Sequence, residues 1–232
     1  TVHDRYVDKE FIPSNGGMNV TWRRFSTISA STTALVEGTF PAETVPTVVT
    51  VSATVNLYGQ WFRSTDVVKS QAFDDIKAEG TKALGETMAN SSDRLTRDVM
   101  NAGSTVQYAS TGGSRGGIAS GMRLNAAELS EAIATLKGSD APRFGDNAYV
   151  AIIHPDTEQD LFNDSNIVNA FQYAANRGPS NPLASGELGN YLGVKFVTTS
   201  NSAVTATGLS LGNGPTDVYL TIIFGKGYAG GV

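Results

Sequence analysis

The chain has 232 residues, a net charge of −5, 40% hydrophobic side chains and no cysteine. That length and apolar fraction support one large domain or two small ones with a real core, and the missing thiols exclude a disulfide framework or a thiolate metal site, so the fold needs no oxidising compartment. Mild acidity without a long Lys/Arg run argues against tight binding to a phosphate backbone. No run of about twenty apolar residues exists to span a bilayer, and the first residues carry no signal-peptide pattern. A start at Thr1 rather than Met points to processing or to an incomplete sequence.

Thr1 to Met18 is mixed and polar, with Pro13, Gly16 and Gly17 near its end and no helical stripe. It reads as an extended arm that cannot bury much of itself, expected to be disordered or laid on another surface such as a neighbouring subunit. Asn19 to Arg63 is rich in β-branched and aromatic residues in near-alternation, which predicts two strands. Gly38 and Pro41 within Val36–Glu43 place the tip of a long hairpin there. A turn so centred would set Trp22 opposite Trp61. A two-stranded ribbon of this length is marginal alone in water and needs a partner surface; the alternative is that both strands belong to an ordinary sheet.

Ala72 to Ala102 carries the longest periodic pattern. Phe73, Ile76, Gly80, Leu84, Met88, Ser91, Leu95, Val99 and Ala102 recur at steps of three or four, the period of one helix face. The opposite face, with Asp93, Arg94, Arg97 and Asp98, is expected to be solvated or paired. Asp74 and Asp75 suit the first turn, and Gly103 falls where a left-handed cap is usual. Interior Gly80 and Gly85 each cost about 1 kcal/mol relative to Ala, so tertiary contacts must hold those turns, or the helix is two shorter ones broken near Gly85.

A flexible loop is expected at Gly112–Gly117. A helix from Asn125 to Lys137 follows, with Asn125 and Glu128 as a capping box, Leu129, Ile133 and Leu136 as its buried stripe, and Gly138 as its end. Tyr149 to His154 reads as a short strand. Pro155, Asp156 and Glu158 then open a helix in the favoured way. Another helix is expected over Asn166–Ala175, a loop around Pro179, Pro182 and Gly186, and strands at Val194–Thr199 and Val218–Phe224. Helices and strands without regular alternation indicate an α+β fold.

Catalytic signals are weak. Gly225–Gly230 matches a dinucleotide fingerprint, but that motif needs a following helix N-terminus, and only Gly231 and Val232 remain. Gly112–Gly117 lacks the Lys-Ser/Thr ending of a phosphate loop. His154 has no second His at ligand spacing and no nucleophile elbow, so a strand-end histidine with a local hydrogen bond is the simpler reading. No catalytic, cofactor-binding or metal set is assigned.

The order of arm, hairpin, long helix and α+β region resembles the coat fold of tailed bacteriophages of the Hong Kong phage type. Trp22-Arg23-Arg24-Phe25-Ser26, Leu35-Val36-Glu37-Gly38, Tyr58-Gly59, Thr96–Gly103 with Val106–Ala109, Tyr149–Asp156, and Gly186–Gly189 with Tyr191–Val197 resemble the major capsid proteins of podophages and their relatives, in the same order. The resemblance implies an arm at 1–18, an extended loop at 19–63, a peripheral domain at 64–145 holding a spine helix at 72–102, an axial domain at 146–224 and a return segment at 225–232 that is cut short. It implies a structural protein that is not an enzyme, needs no cofactor, and assembles with itself into hexamers and pentamers of an icosahedral phage head enclosing double-stranded DNA. Its further partners would be portal, scaffold and decoration proteins. It would be made in the host bacterial cytoplasm and reside in the virion, with no membrane partner. Trp22, Arg23, Arg24, Phe40 and Trp61 are the candidate subunit contacts. The alternatives are a shell protein of a bacterial nanocompartment, or a hydrolase or transferase with a site near His154 and Asp156.

Overall fold

A computed structural model describes residues 1–12, 17–71, 73–109, 113–114, 118, 121–145, 147–175, 189–205 and 217–231. The loops expected at Gly112–Gly117 and Pro179–Gly186 lie outside them, apart from Gly113 and Ser114. In chain order the elements are a 3-10 turn at His3–Tyr6, β1 (Asp8–Lys9), β2 (Asn19–Phe25), β3 (Val48–Thr54), α1 (Asp66–Gln71), α2 (Ile76–Asn101), α3 (Ala126–Gly138), β4 (Tyr149–Ile153), α4 (Pro155–Asn163), α5 (Ser165–Ala175), β5 (Asn190–Tyr191), β6 (Val194–Thr198), β7 (Val204–Thr205), β8 (Val218–Tyr219), β9 (Ile222–Phe224) and β10 (Gly230–Gly231). The chain divides into two units, 1–8 with 60–229, and 9–59 with 230–232.

The larger unit is built around β4, whose five residues are all buried. It runs parallel to β6 and antiparallel to β9 in a four-stranded sheet of order β5-β6-β4-β9. Strand side chains alternate between faces, so Tyr149, Ala151 and Ile153 pack with Leu129 and Ile133 of α3, Leu161 of α4 and Ile167 of α5. Val150 and Ile152 join Ile222, Phe224 and Met100 of α2 on the second face. Tyr6, Phe144 and Phe224 close that face edge to face, with ring centroids 5.8 to 6.0 Å apart, a favoured aromatic geometry.

Capping chemistry sets the helix starts. Asn125 Oδ1 accepts from the Glu128 N–H at 3.0 Å at the head of α3. Asp75 Oδ1 accepts from Lys77 and Ala78 at 3.0 and 3.2 Å, which starts α2 at Ile76 rather than Ala72. Residues 66–71 form the separate α1, Phe73 stands outside both helices, and Ala72 is not among the described residues. The 26-residue α2 runs unbroken through Gly85. Gly80 faces the ring of Phe62 so closely that a Cβ would collide with it, which accounts for one of the two interior glycines.

The left-handed cap expected of Gly103 is not found. Ala102 caps the helix in the right-handed region, and Gly103 is absent from the positive-φ glycines. Its small size serves another contact: the Tyr228 hydroxyl donates to Met100 O at 2.8 Å and passes where a Gly103 Cβ would stand.

Residues 1–8 also differ from the expected uncovered arm. His3 and Val7 are buried against the chain's own larger unit, and the Asp8 N–H donates to Ala229 O at 3.0 Å. Beyond them, in the smaller unit, Phe11 is almost fully exposed.

Candidate subunit interface

The smaller unit is a ribbon in which β2 and β3 pair antiparallel from Asn19↔Thr54 to Phe25↔Val48. Trp22 lies opposite Val51, not Trp61, and β3 ends at Thr54. The reason is the turn. Thr39 N–H donates to Val36 O at 3.1 Å with Gly38 at φ +82°, so the reversal centres on Glu37–Gly38, where a turn with positive φ at its third residue demands glycine, and not nearer Pro41. Trp61 falls in the larger unit.

The ribbon is two-sided. Val20, Trp22 and Arg24 share a face with Ala53, Val51 and Val49, while Thr21, Arg23 and Phe25 share the other with Ser52, Thr50 and Val48. The first face is apolar except for Arg24. Its base is covered: Val20 is buried, and a Cβ on Gly230 would stand 2.9 Å from the Trp22 ring. Beyond that base Val51 is 57% and Val49 56% exposed. No charged residue occurs from Thr44 to Phe62.

Of the expected contact residues, Phe40 is 95% exposed near the hairpin tip, Arg23 and Arg24 are exposed along the ribbon and Trp22 is half-buried at its base. Trp61, in the other unit, is 78% exposed. The ribbon therefore carries four of the five candidates, and the exposed Val49 and Val51 lie on the same ribbon. Alternation in Val49-Thr50-Val51-Ser52 was the available signal, and it becomes legible once the register is known.

The long helix presents a second uncovered surface, in its C-terminal half, on the face expected to be buried. Its buried positions are Asp93 and Met100. The stripe is half-buried at Ile76, Gly80 and Leu84, as expected, but Met88 is 78% and Val99 68% exposed, so its C-terminal half faces out. Polar contacts account for the reversal: Asp93 accepts from His3, and Arg97 donates to Asn201 O at 3.0 Å and to Asp98 Oδ1 at 2.7 Å.

Chemistry near His154 resolves into local structure. Its Nδ1 accepts from the Asp156 N–H at 3.2 Å and caps α4. The Tyr219 hydroxyl donates to Asp156 Oδ2 at 2.5 Å, and its ring lies 4.8 Å from that of His154. Hydrogen bonding to Asp156, then burial and the charges of Asp156, Asp217 and Asp160, push the phenol up to about 12. Gly225 abuts Pro142 O and leads into a turn rather than a helix. Among the described residues no His/Asp/Glu group could hold a metal ion, and no helix is long and apolar enough to cross a membrane.

Solved structures with the same fold come from phages. The capsid of the cyanophage P-SCSP1u is similar with a TM-score of 0.68 and 14% identity, over 97% of this chain and 72% of that one. The capsid of Ralstonia phage GP4 gives 0.64 and 15%, over 95% and 70%. Mycobacterium phage Che8 gives 0.60 and 17%, over 87% and 69%. The α+β fold is thus related to that of the Hong Kong phage type of coat protein. A family model described as phage capsid protein matches residues 47–232, and the chain belongs to that family. No curated protein matches it.

Proposed function

We propose that the chain is the major capsid subunit of a phage head, assembling with itself into hexamers and pentamers of an icosahedral shell around double-stranded DNA. In this reading α2 is the spine helix and residues 19–63 are the extended loop lying over a neighbouring subunit. Residues 64–145 and 146–224 serve as the peripheral and axial domains, and 225–232 as a return segment. Portal, scaffold and decoration proteins would be its further partners in the virion, after synthesis in the host bacterial cytoplasm.

The observation that carries this reading is the ribbon, whose apolar face and tip remain exposed although its base is packed. A two-stranded ribbon is marginal alone, and a specific contact buries upward of about 1,000 Å², which ribbon and helix stripe together could supply. The interior of such a shell has only to tolerate DNA, consistent with the absence of a long basic run.

Negative-stain microscopy of the purified full-length protein tests the reading: shells or hexameric rings support it, and isolated particles at every concentration reject it. Nucleic acid rather than enzyme cargo inside the shells separates a phage head from a nanocompartment. Phe40→Asp should leave thermal stability within about 0.5 kcal/mol, as for surface substitutions away from packed features, while reducing the yield of shells.

A further inference from the structure

The 3-10 turn at His3–Tyr6 is fastened to α2 through one carboxylate. Asp93 Oδ1 accepts the His3 backbone N–H at 2.8 Å, and Oδ2 lies 3.1 Å from His3 Nδ1. Asn201 Nδ2, from the turn after β6, donates to the same Oδ2 at 3.3 Å and approaches Asn90 Oδ1 at 3.4 Å. His3 is fully buried and Asp93 99% so. Three stretches of chain far apart in sequence therefore meet on Asp93.

We propose that residues 1–5 form a strap that the Asp93 carboxylate holds shut, and that neutralising or removing this carboxylate frees the strap from α2 while the sheet beneath stays folded. A buried pair that loses one partner leaves the other uncompensated, which is far costlier than the pair was favourable. Without Asp93 the His3 backbone N–H and Nδ1 would both lose their acceptor inside the protein. His3 Nε2 is already buried without a partner, so the imidazole would have no hydrogen bond left and would gain by moving into water.

The surroundings favour release of the strap alone. Apart from His3 itself, the groups meeting the carboxylate are neutral: Asn201 touches it and Asn90 touches Asn201. Of the cations beside it on α2, Arg94 is exposed and Arg97 is occupied by Asn201 O and Asp98, and Asp4 and Arg5 flank His3 on its own turn. Tyr6 is anchored separately by Phe144 and Phe224, which sets the hinge between Arg5 and Tyr6, and within the strap Val2 adds one partly buried apolar contact to the same cluster. Burial alone would raise the Asp93 carboxyl, but the hydrogen bonds and charge of His3, with Asn201, outweigh it and hold the carboxyl below its ordinary value. Protonation therefore opposes the closed strap.

Hydrogen exchange on the full chain, read as protection factors for residues 1–5 and for β4, tests this. In Asp93→Ala at neutral pH, protection of residues 1–5 should fall at least tenfold with β4 unchanged, whereas Asp98→Ala on the same helix should leave both unchanged. In the unsubstituted protein taken from pH about 6 to about 3, across the ordinary carboxylate range, strap protection should vanish before that of β4. Protection of residues 1–5 that survives Asp93→Ala, or strap and β4 losing protection together in either experiment, would overturn the proposal.

Discussion

At the scale of single residues, two positions carry sharp expectations. Gly225 lies against Pro142 O, where any Cβ would collide with backbone, and the Lys226 N–H donates to that same carbonyl at 2.9 Å. Gly225→Ala should destabilise the larger unit by about 1–3 kcal/mol, the usual range for a forced shift in a packed region, visible as a lowered midpoint of thermal unfolding. Tyr219 is the second. Its phenol is raised to about 12 from 10.0, so its contribution to stability is complete below 10 and disappears as pH rises through 12. Tyrosinate absorbance should show one phenol titrating near 12, and Asp156→Asn should bring it back toward 10.

Among the elements, what sequence could show depended on whether the deciding interaction was local. The starts of α3 and α4 follow from Asn125 and Pro155, because cap and first-turn chemistry act within a few residues. The facing of α2 was legible over Ile76, Gly80 and Leu84, which are half-buried, and not beyond them. Its apolar stripe through Met88 and Val99 points outward, and the side chains that dock it, Asp93 and Arg97, find partners 90 and 104 residues away. A periodic pattern marks which residues share a face and is silent about which face meets its own core. The hairpin tip fell within Val36–Glu43 as expected, but the turn lies at its Gly38 end, and Trp22 pairs with Val51 rather than Trp61. The candidate contact residues in the ribbon are exposed or half-buried side chains named from sequence, and Val49 and Val51 joined them as candidates only through the register. A local test is available in Asp75→Ala, which removes the acceptor for two N–H groups at the head of α2. It should cost about 1 kcal/mol in chemical denaturation, with loss of helical ellipticity confined to the first turns.

For the whole molecule, the two units differ in how they are satisfied. The larger unit covers both faces of β4, while the ribbon keeps Phe40 in water together with valines of a stretch, Thr44 to Phe62, that holds no charged side chain. Contacts made through that stretch would draw on removal of apolar surface from water rather than on charge. Such a driving force weakens on cooling, and screening by salt has little to act on. Shells assembled at room temperature should therefore loosen when chilled and reform on warming, with only a slight response to added sodium chloride, as followed by light scattering. In that sense the neutrality of one strand makes the particle a thermometer: its cohesion would be set by warmth before ionic surroundings.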